Sequence, residues 1–110
     1  MNGPVFAFAI AASGPRFMTL KIEWFSMKGG TRIRLSGEFR SEHLAEVRTE
    51  IERSEPPVAV DLDEVNHVDV DAIRFLNACE GEGVEVLNCS LYIREWMFQE
   101  KARERNPERT

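Results

Sequence analysis

The chain has 110 residues, 43% of them hydrophobic, with 14 Lys and Arg against 19 Asp and Glu for a net charge of −5. That length accommodates one domain whose core needs no staples, and no apolar run approaches the roughly 20 residues of a spanning helix. Charge is uneven: residues 1–40 carry net +4 and residues 41–110 net −9. The acidic half lacks the basic stripe of a nucleic-acid binder and suits a protein partner that presents Arg or Lys.

Residues 1–17 read as a disordered or spurious leader, with Met18 opening the folded domain. A secretory signal would need a basic stretch ahead of the apolar run, and none precedes it; an extra edge strand is the remaining option. From Met18, Leu20, Ile22 and Trp24 alternate with Thr19, Lys21 and Glu23, the period of a half-buried strand. Gly29-Gly30 supplies a turn. Ile33 and Leu35 then alternate with Arg32 and Arg34, completing an antiparallel hairpin that Gly37 is expected to end.

Ser41 is placed to cap a helix whose inward stripe is Leu44, Val47 and Ile51, and Pro56-Pro57 stops it. His43 falls off that stripe and reads as solvated, with no role. Val58 to Leu62 form a strand whose unbroken apolar character predicts an interior place covered on both faces. A loop, Asp63-Glu64-Val65-Asn66-His67-Val68, follows. Asp69 is a good N-cap for a helix with Ile73, Leu76 and either Ala72 or Cys79 inward. Glu80-Gly81-Glu82-Gly83 closes it with a glycine available for the left-handed position.

Val84, Val86 and Leu87 make the next strand. Ser90 caps a last helix with Ile93, Trp96 and Met97 as its buried stripe. It frays near Arg105 into a charged tail, residues 101–110, with Pro107 in its loose end. The order predicts a small α/β fold: an N-terminal antiparallel hairpin leading into a mostly parallel four-stranded sheet with about three helices. Cys79 and Cys89 form neither a disulfide framework nor a metal set, so reduced thiols in a cytoplasmic protein are expected.

The runs Thr31-Arg-Ile-Arg-Leu-Ser-Gly37, Val58-Ala-Val-Asp-Leu62, Val68-Asp-Val-Asp-Ala-Ile-Arg-Phe-Leu76 and Gly83-Val-Glu-Val-Leu-Asn88 share their order and spacing with one family. Together, over about residues 18–98, they resemble the STAS domain. That family includes bacterial anti-sigma factor antagonists and the cytoplasmic domains of sulfate transporters. Phosphorylatable members carry Asp-Ser-Ser-Gly or Asp-Ser/Thr-x-Gly at the start of the helix after the central strand, and a kinase anti-sigma factor modifies the second hydroxyl position. Here the motif reads Asp69-Val70-Asp71-Ala72: the acidic position is kept, Asp71 stands at the phosphosite, and Ala72 replaces the glycine.

The resemblance implies a non-catalytic module in a partner-switching pathway, without cofactor and without the phosphorylatable hydroxyl. Its partner surface would comprise Asp63, Asn66, His67, Asp69, Asp71 and Arg74, and its partner an anti-sigma factor kinase or another regulator. A subunit docked on a transporter ATPase is the alternative within the same family. Two readings of Asp71 stay open. A carboxylate brings one negative charge where phosphoserine brings about −1.5 to −2, so Asp71 is either a permanent imitation of the phosphorylated state or a first-turn acid that stabilises its helix. Arg74 falls on the outward side near Asp71, able to meet a partner or to pair with Glu80 or Glu82.

A rival class takes Asp61, Asp63, Glu64, Asp69 and Asp71 as oxygen ligands for Mg²⁺ or Ca²⁺, or as a phosphate-handling site. The acidic pair and late-strand lysine of a receiver domain are missing, so no metal is expected. No serine or cysteine nucleophile has a spaced partner and no Gly-rich phosphate loop occurs, so His67 reads as a loop residue available to a partner and enzyme activity is not expected.

Overall fold

The computed structural model describes the strand Val5–Ala11 and residues 20–105. The remainder of the expected leader and the tail end with Pro107 lie outside the described residues. The architecture is α/β. The described residues form five strands in the order β1 (Val5–Ala11), β2 (Leu20–Met27), β3 (Gly30–Phe39), β4 (Val58–Val68) and β5 (Glu85–Leu87). β1, β2 and β3 are antiparallel neighbours, whereas β3–β4 and β4–β5 are parallel. The hairpin and the four-stranded sheet β2–β5 match the expectation, and β1 adds a fifth strand from the stretch read as leader.

Three helices link or follow the parallel strands: α1 (Leu44–Arg53, entered through a 3₁₀ turn, Ser41–His43), α2 (Val70–Gly81) and α3 (Leu91–Arg105). The inward rows Leu20-Ile22, Ile33-Leu35, Val58-Val60-Leu62 and Val86 form one core with Val47 and Ile51 of α1, Ala72, Ile73, Leu76 and Cys79 of α2, and Ile93 and Met97 of α3. Each buried aliphatic side chain of this kind contributes about 1.5–3 kcal/mol. Trp96, expected in that stripe, is only partly buried; its ring leans on Tyr92 at 5.8 Å between centroids.

The described helices cover one face of the sheet. The other face carries charge, so the expectation that β4 is covered on both sides does not hold. There Arg32 lies 3.8 Å from Asp61, and Arg34 lies 3.9 Å from Asp63 and 3.4 Å from Glu64. Asp61 is buried although it faces this side, because it also accepts from Asn88 Nδ2 at 2.9 Å and from the Asp63 backbone N–H at 3.0 Å.

Further corrections concern element ends. β3 does not stop at Gly37 but continues to Phe39, which is fully buried and meets Phe75 edge-on at 5.9 Å. Ser41 does not cap α1, which has no side-chain cap. His43 is wholly buried rather than solvated, its Nδ1 accepting the Arg40 backbone N–H at 3.1 Å. Ser90 does cap α3, accepting from Ile93 N–H at 3.2 Å. α2 ends with Gly83 at φ +94°; Gly83 N–H donates to Glu80 at 3.1 Å and Val84 N–H to Cys79 at 2.9 Å. These are the two bonds of a Schellman stop.

Candidate partner-binding site

The stretch Asp63–Val68 was expected as a loop, and it is strand. β4 runs through to Val68 alongside β3, with pairings Ser36 to Glu64, Gly37 to Val65, Glu38 to His67 and Phe39 to Val68. The register slips twice, between Arg34 and Ser36 and between Gly37 and Glu38. Each slip inserts one extra residue in β4, a bulge that lets a strand keep pairing while its side-chain alternation resets. β5 pairs only with Ala59, Val60 and Asp61. Among the described strands, residues 63–68 of β4 are therefore paired on the β3 side alone. Asp63, Glu64, Asn66 and His67 are exposed there, and Val68 turns inward.

β4 hands over to α2 through Asp69. As expected, Asp69 is the N-cap: its Oδ1 accepts from Ala72 N–H at 2.9 Å. Its second oxygen, Oδ2, accepts from Ser41 N–H at 2.9 Å. That brings the start of the 3₁₀ turn before α1 against the start of α2, so exposed Ser41 and Glu42 border the site. Nothing in the sequence around Ser41 signals this bond, because the partners lie 28 residues apart.

Asp71 occupies the first turn of α2 and is exposed. No hydrogen bond or ion pair engages its side chain among the described residues. It therefore faces water at the end of the helix where free amides and the dipole favour an anion.

Arg74 is exposed on the same helix, with half of its side-chain surface accessible, but it pairs with neither Glu80 nor Glu82. Its Nε donates to Glu100 Oε1 at 3.1 Å, across to α3. Glu100 is buried and also lies 3.7 Å from Arg103. Glu80 is taken by Arg94 at 2.9 Å and Glu82 by Arg48 at 3.2 Å. Arg48 in turn lies over the Phe75 ring, 5.0 Å from its centroid, shielding an aromatic that would otherwise face solvent beside the site.

The five acids thus divide among separate tasks. Asp61, Asp63 and Glu64 neutralise Arg32 and Arg34 on the helix-free face, Asp69 ties two helix starts, and Asp71 stands apart. Among the described residues no three His, Cys, Asp or Glu side chains are grouped to hold a metal ion. The structure brings Asn66, His67, Asp69 and Asp71 together around the β4–α2 junction. Asp63 is turned into the arginine network, and Arg74 is anchored toward α3.

Both thiols are held in the protonated form by burial, Cys79 up to about 11 and Cys89 above its ordinary value. No described helix is long and apolar enough to cross a membrane. No protein-family model matches the chain, and no curated protein matches it in sequence. Fold and site together define a class: a small mixed-sheet α/β domain whose strand β4 delivers to a helix start an acid that is unpaired among the described residues.

Proposed function

We propose that this chain is a non-catalytic binding module of STAS type, an antagonist-like regulator in a partner-switching pathway that lacks the phosphorylatable hydroxyl. The observation that carries the reading is Asp71: an exposed carboxylate without a partner among the described residues, in the first turn of α2, at the position where the family places its modified Ser or Thr. Exposed Asn66 and His67 at the end of β4 supply polar contacts on one side. Ser41 and Glu42 supply them on the other. A partner presenting Arg or Lys fits that charge pattern. By the family resemblance, that partner is an anti-sigma factor with a histidine-kinase-like fold.

The test is affinity capture from the native host followed by titration of the captured regulator with purified protein. Wild type should retain a kinase-fold regulator, and Asp71→Ala should bind it at least about tenfold more weakly, the scale on which truncating an interface charge acts. Asp71→Ser, given that regulator and ATP, should gain one phosphate. If Asp71→Ser stays unmodified and Asp71→Ala binds like wild type, the reading fails.

A further inference from the structure

Four large hydrophobic side chains are exposed among the described residues, and three of them lie on α3: Leu91 at 79%, Phe98 at 70% and Tyr92. Tyr92 rests against Trp96. Leu91 and Phe98 stand seven residues apart and share a stripe with Glu95, Ala102 and Arg105, all of them exposed. The spacing along that stripe is four, three, four and three, the repeat of a helix–helix seam. It runs opposite the face that α3 buries with Ile93, Met97 and Glu100.

The charges on the stripe are unspent. Arg94 is bound to Glu80, and Glu100 to Arg74 and Arg103, whereas neither Glu95 nor Arg105 has a charge partner among the described residues. We propose that this stripe joins two copies of the chain, α3 packing antiparallel on α3 of the second copy about a two-fold axis that crosses the stripe at the level of position 100, midway between Phe98 and Ala102. Glu95 and Arg105 are each five residues from that axis, about 7.5 Å at the helical rise. Glu95 of each copy then meets Arg105 of the other.

Phe98 and Ala102 are each two residues from the axis, so the bulky ring of one copy covers the small side chain of the other. Symmetry doubles every contact, and the two helix dipoles oppose. A parallel arrangement would set Glu95 on Glu95 and Arg105 on Arg105, which like charges disfavour. From Glu95 to Arg105 the stripe is complementary to its own reverse, which selects a second copy as its occupant.

Sedimentation equilibrium on the full chain tests this from micromolar to millimolar concentration. Wild type should dimerise. Glu95→Arg and Arg105→Glu should each weaken the dimer by at least about tenfold, as like charges now face across the axis. The double variant should return to near wild-type strength, and Phe98→Ala should dissociate without any charge change. These sites are exposed, so far-ultraviolet circular dichroism of each variant should match wild type. A monomeric wild type, single variants that dimerise as wild type does, or a double variant that fails to recover would each overturn the proposal.

Discussion

Asp69 holds the backbone N–H of Ser41 at 2.9 Å with the carboxylate oxygen that is not capping α2. One side chain therefore fixes two helix starts against each other. Losing an N-cap costs about 0.5–2 kcal/mol, and losing a hydrogen bond to a charged acceptor about 1.5–3 kcal/mol when buried, less at an exposed site such as this. Asp69→Ala should lower stability by about 1.5–3 kcal/mol in urea unfolding. Asp69→Asn keeps an oxygen for Ala72 but presents an amide to Ser41, so it should lose about half as much. Asp71→Ala, two residues on, should cost no more than about 0.3–1 kcal/mol, because only the dipole contact is lost. Stability thus separates the two acids, and binding should separate them in the opposite order.

Arg74 and Glu100 form the polar clamp between α2 and α3, next to the bond from Asn77 Nδ2 to the Met97 carbonyl at 2.9 Å. Glu100 keeps 8% of its side-chain surface in water while Arg74 keeps 50%. Solvent screening at the arginine moderates the pair, yet removing it leaves a buried carboxylate with Arg103, at 3.7 Å, as its one cation among the described residues. Arg74→Ala should cost about 1–2 kcal/mol. In a double-mutant cycle with Glu100→Ala, the two losses should fall short of additivity, since either variant alone breaks the same contact.

Gly30 tests the turn between β2 and β3. Its φ is +143°, and a Cβ there would run into the Pro57 carbonyl, the same oxygen that accepts from Thr31 N–H at 3.0 Å. Gly30→Ala should therefore destabilise by about 2 kcal/mol or more, because backbone has to move to admit the methyl group. Gly29, at φ +95° with open space around it, meets only the conformational penalty, about 1 kcal/mol for Gly29→Ala. The two thermal midpoints should differ accordingly.

Cys79 predicts an alkaline limb in stability. Burial raises its thiol from 9.0 to about 11, so the native state holds that proton where the unfolded state releases it. The stabilisation is full below pH 9 and is lost as pH rises through about 11. The urea midpoint should decline over that window, and it should decline less in Cys79→Ala than in wild type. At neutral pH, alkylating reagents should label Cys79 in the native protein far more slowly than in urea, because the thiol is both protonated and enclosed.

The hairpin, the strand Val58–Leu62, α2 with its Asp69 cap and the Ser90 cap were legible because they rest on local periodicity and capping chemistry. The second half of β4 was not. Its inward residues Val60, Leu62, Val65 and Val68 fall two, three and three apart, since each bulge shifts the phase by one, and a broken period with five acids nearby resembles a loop. His43 was misplaced because a 3₁₀ turn precedes α1 and rotates the first residues away from the α-helical phase. Arg74 illustrates the limit at the site: its neighbours in sequence, Glu80 and Glu82, were plausible partners, but Arg94 and Arg48 claim them from elsewhere in the chain. Which long side chains meet across 26 or 34 residues depends on how helices pack, and the linear pattern carries no trace of that.

The shortness of β5 gives β4 two mechanical regimes. Residues 59–61 are clasped by hydrogen-bonded neighbours on both flanks, whereas among the described strands residues 63–68 hang on β3 alone. Fewer bonds have to open for that outer segment to shift, which places it toward the low-stability end of the domain's local fluctuations. The segment leading into Asp71 can accordingly adjust its pose against a visitor while the clasped segment and the oily layer beneath it stay rigid.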